Sequence, residues 1–165
     1  MGICRPGKMD EIIEKGVEIG VSSFLIFYSD KSYVKLTEEK TAVKRIARLK
    51  RIVLAAVKQS KRSMIPKIGE PLIFTELIKK IGDFDLSLIA EKHQMAKSLS
   101  EYNFKSSEYK DVLLIVGPES GLSEDEVDLA VKTGIKPISL GSRRLRAETA
   151  GIIFPALVLN HLGDL

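Results

Sequence analysis

The chain has 165 residues, 44% of them hydrophobic, with 26 Lys and Arg against 22 Asp and Glu, a balance that suits one soluble globular domain burying about two-thirds of its unfolded surface. No run approaches the roughly 18 apolar residues of a membrane span, and the amino terminus carries Asp10, Glu11 and Glu14 with no secretory apolar core, so a cytoplasmic location is expected. The lone Cys4 cannot form an internal disulfide, and with only His93 and His161 the chain has no recognisable metal-ligand spacing, so no metal is expected.

Helical periodicity covers about Lys8 to Ile19, with Ile12, Ile13 and Val17 on the inner face and Gly20 as its stop. Ser23 to Phe27 reads as a short buried strand, and Asp30 to Leu36 as a loop or ragged edge. A basic helix then runs to about Ser60 and breaks before Pro66. Lys67 to Ile73, bounded by Pro66 and Pro71, stays ambiguous. A weak helix spans Thr75 to Ile81 and ends at Gly82; Asp85 to Ala90 reads as a strand, and residues 91–109 are polar, with a short helix near Gln94 to Ser100. Alternating strands and helices predict an α/β fold with a mainly parallel sheet.

The last fifty residues carry the strongest signal. Two apolar strands, Leu113 to Val116 and Ile138 to Leu140, each run into a glycine-containing loop that opens a helix: Gly117 to Gly121, and Gly141 to Arg146. Ser123 with Glu126 three residues on fits a capping box, which starts a helix after the first loop. Glu148 stands at the start of an apolar helix ending near His161. Ligands of open α/β sheets sit outside the carboxyl ends of strands, so two such loops on neighbouring strands would make one crevice. Arg143, Arg144 and Arg146 give the second loop forked donors suited to phosphate or a base edge.

Charge is concentrated elsewhere too. Between Lys40 and Arg62 lie nine basic residues and no acidic one. On a helix Lys44, Arg48, Arg51, Lys58 and Arg62 form one stripe, opposite Ala42, Ile46, Leu49, Val53, Ala56 and Val57. The stripe is either a solvated face or a surface for a polyanion such as RNA.

On these residues the chain resembles the RsmE family of SPOUT-class methyltransferases, which methylate N3 of a uridine in small-subunit ribosomal RNA with S-adenosylmethionine. Gly117-Pro118-Glu119-Ser120-Gly121 matches the family's GPEGG loop, and Leu140-Gly141-x-Arg143-x-Leu145-Arg146-x-Glu148-Thr149-Ala150 its LGxRxLRxET loop. Lys15-x-x-Glu18-x-Gly20-Val21 resembles KxxELGV, and Gln59-Ser60-x-Arg62 followed by Pro66 resembles QSxR…P. The resemblance implies one methyltransferase domain over residues 1–165, a parallel sheet flanked by helices with a carboxyl-terminal deep trefoil knot, and a homodimer. It also implies a cofactor held by Ile115, Gly117, Pro118, Glu119, Gly121, Leu140, Gly141, Ser142, Leu145 and Thr149.

Three departures accompany it. Ser120 replaces a glycine, and Arg144 stands where the family usually has an aliphatic residue. The family's small amino-terminal RNA-binding barrel has no counterpart, so the first strand of the domain must come from about Met1 to Cys4, in a trimmed chain, a partial gene product or a natural minimal form.

The catalytic candidates are Arg146, with Arg62 as second choice, to stabilise negative charge on uracil oxygens, and Glu119 to position the base or Arg146. RNA contacts are expected from Lys44, Arg48, Arg51, Lys58, Arg62 and Arg143. Two rivals stay open: a noncatalytic RNA-binding knot module, and a nucleotide- or phosphate-binding α/β enzyme, although neither G-x-x-x-x-G-K-[ST] nor G-x-G-x-x-G is present.

Overall fold

The computed structural model describes residues 1–33, 39–105 and 108–165. The part of the expected 30–36 loop beyond Tyr33 lies outside the described residues, as do positions 106 and 107 of the polar 91–109 stretch. The first helix, α1 (Pro6–Glu18), begins on a proline at a position whose N–H has no helical partner, and Gly20, at φ +114°, takes the left-handed turn beyond its end. Met9, Ile12, Ile13 and Val17 form its buried face. The long basic helix α2 (Glu39–Ser60) buries Ile46, Leu49, Val53, Ala56 and Val57 against α1 and leaves Lys44, Arg48, Arg51 and Lys58 exposed.

The strand expected over 23–27 is two short ones, β1 (Ser23–Phe24) and β2 (Phe27–Tyr28). They pair in parallel with β3 (Lys67–Ile68) and β4 (Leu72–Ile73), which settles the ambiguous 67–73 stretch as two edge pieces; Pro71 lies just outside them. A short helix, α3 (Phe74–Lys79), follows, somewhat shorter than the 75–81 reading. The larger sheet holds β5 (Leu86–Ala90), β6 (Val112–Val116) and β7 (Lys136–Ile138), all parallel, in the order β6-β5-β7.

The first residues join the two halves. The Gly2 amide donates to the Val116 carbonyl at 2.7 Å, the Ile3 amide to Phe27 at 2.8 Å, and the Phe27 amide to Met1 at 3.1 Å. Met1 to Ile3 thus fills the strand position between β2 and β6, as expected for Met1 to Cys4. Within β6 the side chains alternate faces. Leu113 and Ile115 join a cluster with α3 and α4 (Glu124–Lys132), whereas Val112, Leu114 and Val116 face the cluster under α5 (Ala147–Leu162).

Two further segments differ from the sequence reading for identifiable reasons. The helix expected near 94–100 shrinks to a single 3-10 turn over Leu99–Glu101: Glu101 accepts from both the amide and hydroxyl of Ser98 at 2.7 Å, capping that turn, and the Ser139 amide bonds Lys97 at 2.9 Å, so the residues before it are tied to the chain beyond β7. The strand expected at 138–140 ends at Ile138, because beyond it the backbone of Ser139 is claimed by Lys97 and the chain turns.

Arg62 lies past the end of α2, and its guanidinium donates to the carbonyls of Val17 (3.0 Å), Gly20 (3.0 Å) and Val21 (2.7 Å). It closes the carboxyl end of α1, where unpaired carbonyls and the helix dipole favour a cation. Arg62→Ala should cost about 1.5–3 kcal/mol by removing charge-assisted bonds. Thermal unfolding would register this as a lower midpoint, and an unchanged midpoint would mean that water replaces the guanidinium at no cost.

Gly2 is the tightest point of the sheet. A Cβ there would lie 2.5 Å from the nitrogen and Cδ of Pro118 and 2.9 Å from the Gly117 carbonyl carbon. Because those atoms are backbone and ring, Gly2→Ala should displace the Gly117-Pro118 loop at a cost of about 1–3 kcal/mol. The expected readout is a fall in melting temperature of several degrees; a midpoint equal to that of the wild type would show that the strand and loop separate freely.

Candidate active site

The carboxyl ends of β5, β6 and β7 open into a cleft of about 660 Å³. Its first wall is the loop after β6: Gly117, Pro118, Glu119 and Gly121 line it, and Gly121 adopts φ +76°. Its second wall is the loop after β7, contributing Leu140, Gly141, Arg143, Arg144, Leu145 and Arg146, with Gly141 at φ +106°. Only glycine holds such backbone angles without strain, so both turns are written into the sequence. The two loops do converge, but not from adjacent strands: β5 runs between them, and its end adds Ala90, Glu91 and Lys92.

Lys92 fixes the second loop, its Nζ donating to the Ser142 carbonyl at 2.8 Å. The first loop is held by the α4 cap. Ser123 Oγ accepts from the Glu126 amide (3.1 Å), while Glu126 accepts from the Ser123 amide (2.8 Å), Ser29 Oγ (2.7 Å) and the Asp30 amide (3.0 Å). The buried Glu126 therefore performs the predicted capping box and also ties down the turn after β2. Ser120, the departure from the glycine pattern, donates its hydroxyl to the Lys31 carbonyl, and Lys31 Nζ donates to the Leu122 carbonyl at 3.0 Å. The substitution adds a tie instead of crowding the loop.

Glu119 accepts the Arg5 amide at 3.0 Å, which positions its carboxylate on the cleft rim above Cys4. Burial, then the charge of Glu119, push the Cys4 thiol up to about 12, so it stays protonated and unreactive. Across the cleft Glu148, at the amino end of α5, pairs with Lys8 at 3.0 Å and lies 3.9 Å from Arg146 Nη1. Hydrogen bonding to its own backbone N–H, followed by the Lys8 contact and charge, holds the Glu148 carboxyl below the usual glutamate range. The Arg146 side chain is 82% exposed and so keeps most of its donors free toward the cleft.

Not every expected residue meets here. Ile115 is fully buried in the core between β6 and the helices, Ser142 contributes its carbonyl to Lys92 and not to the lining, and Thr149, in the first turn of α5, is not among the lining residues. Arg62 is engaged by the three α1 carbonyls, which takes it out of both the catalytic pair and the basic stripe. The stripe's Lys44, Arg48, Arg51 and Lys58 are all exposed, with Arg48 also ion-paired to Asp10. Sequence reasoning missed Lys8, Glu91 and Lys92. The only available signal was that the predicted 85–90 strand must also end in a loop on the ligand side.

Residues 1–159 match the RNA methyltransferase domain family. A Bacillus subtilis protein named ribosomal RNA small subunit methyltransferase E is 33% identical over 153 residues, covering 90% of this chain and 59% of that protein. One of the same name from Mesomycoplasma hyopneumoniae is 32% identical over 152 residues, covering 92% and 64%. The chain thus spans less than two-thirds of the length of these relatives. Among solved structures, the Neisseria gonorrhoeae ribosomal RNA small subunit methyltransferase E bound to S-adenosyl methionine aligns with a TM-score of 0.86 at 29% identity, over 97% of this chain and 63% of that one. A Legionella pneumophila protein solved with the cofactor SAM aligns at 0.90 and 27% identity, over 98% and 64%. With the family's two loops meeting at one cleft and the match running through almost the whole chain, this protein belongs to the RNA methyltransferase domain family.

Proposed function

We propose that the chain is an S-adenosylmethionine-dependent methyltransferase acting on small-subunit ribosomal RNA, with N3 of a uridine as acceptor. The observation that carries this reading is the cleft itself, with two glycine-turned loops facing each other, apolar on one side and basic on the rim. The lining fits S-adenosylmethionine chemically. Pro118, Ile138, Leu140, Leu145, Ala147 and Ala150 offer an apolar surface for adenine, and Glu91 and Glu119 offer carboxylates to a sulfonium or ammonium group. Bound there, the cofactor supplies an electrophilic methyl group.

The protein's own work is to hold the acceptor and manage its charge. Uridine N3 becomes nucleophilic as its proton leaves, and negative charge then spreads onto the flanking carbonyl oxygens. Arg146 stands on the rim with donors free to stabilise that charge, and the Glu148 carboxylate lies 3.9 Å from it. Glu119, fixed by the Arg5 amide, positions the base. Arg143 and the exposed Lys44, Arg51 and Lys58 supply electrostatic attraction for the RNA backbone, with Arg48 in the same stripe. Arg62 supports α1 and takes no part in the chemistry.

The wider assembly follows the same reading. Residues 1–165 form one methyltransferase domain with the family's trefoil knot, which the 0.86 and 0.90 alignments support. Ile153 and Leu157 of α5 expose an apolar face that suits a second copy in a homodimer. The setting is the bacterial cytoplasm, where ribosomal RNA is modified.

The test is transfer of a labelled methyl group from S-adenosylmethionine to small ribosomal subunits that lack the modification, with the product nucleoside identified by mass spectrometry. The wild type should yield N3-methyluridine. Arg146→Ala should lower kcat by about 10²- to 10³-fold while cofactor affinity stays the same. Full transfer by Arg146→Ala would overturn its assignment, and a folded wild type that transfers nothing would favour the noncatalytic RNA-binding alternative.

A further inference from the structure

Tyr33 is 69% exposed, the most exposed large apolar side chain among the described residues. Leaving so much of an aromatic ring in water forgoes the gain of burying it, yet the chain leading to it is tightly fixed. The Ser29 amide donates to Ser32 Oγ at 2.9 Å and the Ser32 amide returns to the Ser29 carbonyl at 2.9 Å, with both serines buried. The same turn is anchored to the first cleft loop through Glu126, Lys31 and Ser120. The ring is presented to solvent from a rigid base.

Arg5 defines the other side. Its guanidinium carbon lies 5.8 Å from the Tyr33 ring centroid, within cation–π range, and its amide is the donor that fixes Glu119 on the cleft rim. The Arg5–Tyr33 pair is therefore fastened to the 119–122 loop at two independent points, one through Arg5 and one through Lys31. A planar ring beside a planar cation, next to a cleft with a basic rim, is the pattern by which proteins hold unpaired bases: the base stacks on the aromatic face and the cation meets the phosphate.

We propose that Tyr33 and Arg5 form a stacking platform for an unpaired base of the RNA, adjacent to the nucleotide that enters the cleft. This rests on the RNA methyltransferase reading above and adds a contact outside both the cofactor cleft and the basic face of α2. Holding a neighbouring base would keep the strand unstacked at the point where the target must turn into the site, and it requires no particular base identity, since every base has a π-face.

The test measures binding of a single-stranded RNA oligonucleotide carrying 2-aminopurine, by anisotropy and base fluorescence, with S-adenosylmethionine affinity measured in parallel by calorimetry. Tyr33→Ala should weaken RNA binding about 10- to 100-fold without changing cofactor affinity or the salt dependence. Tyr33→Phe and Tyr33→Trp should stay within about threefold of the wild type, because stacking needs the ring and not the hydroxyl. Arg5→Ala should lower the slope of affinity against salt by about one counterion. RNA binding by Tyr33→Ala equal to that of the wild type would overturn the platform and leave the methyltransferase reading intact, as would a Tyr33→Phe variant as weak as Tyr33→Ala. A wild type that binds cofactor but no RNA would overturn both.

Discussion

The structure depends on the insertion of Met1 to Ile3 between β2 and β6. Three backbone hydrogen bonds of 2.7–3.1 Å turn two separate patches of sheet into one continuous surface. The cost of that insertion is steric: Gly2 meets the Gly117-Pro118 backbone so closely that no side chain fits. The same contact that completes the sheet also sets the height of the first cleft loop. Cys4 and Arg5, the next two residues, carry the consequence outward, since the Arg5 amide fixes Glu119 and Cys4 forms the buried floor beneath it. Fold and site are thus coupled through five residues of the chain.

From there the cleft is built by side chains that each satisfy a backbone need first. Glu126 caps α4 and holds the turn after β2; Lys92 takes a carbonyl of the second loop; Lys8 neutralises Glu148 at the start of α5. Because these groups are paired, the rim charges that remain largely exposed are the arginines of the second loop, and above all Arg146. A site whose supporting carboxylates and lysines are already committed leaves its arginines to meet an anionic ligand.

What could be read from the sequence follows from how local each signal is. Glycines at 121 and 141, the Ser123–Glu126 box and the apolar run of Leu113 to Val116 specify turns, a cap and a strand within a few residues, and all are legible in the sequence. The order β6-β5-β7 was not, because parallel strands are paired across long crossovers and nothing in Leu86 to Ala90 says that it lies in the middle. That single ambiguity hid Glu91 and Lys92 from the site. Arg62 was misread for a similar reason: its place after a basic helix suggests another surface cation, whereas its partners are three carbonyls some forty residues earlier. The helix expected near 94–100 shows the opposite error: Ser98 and Glu101 cap only one 3-10 turn, Leu99–Glu101, and the weakly periodic segment before it is tied by the Lys97 backbone to the chain after β7.

Everything proposed for the chemistry requires the two loops to form one cofactor site, which calorimetric titration with S-adenosylmethionine can test. Binding should saturate at one site per chain and be lost in Gly141→Val, whose side chain would meet open space but whose backbone, at φ +106°, would have to move. A folded wild type that takes up no S-adenosylmethionine, or a Gly141→Val variant that binds as tightly as the wild type, would contradict it.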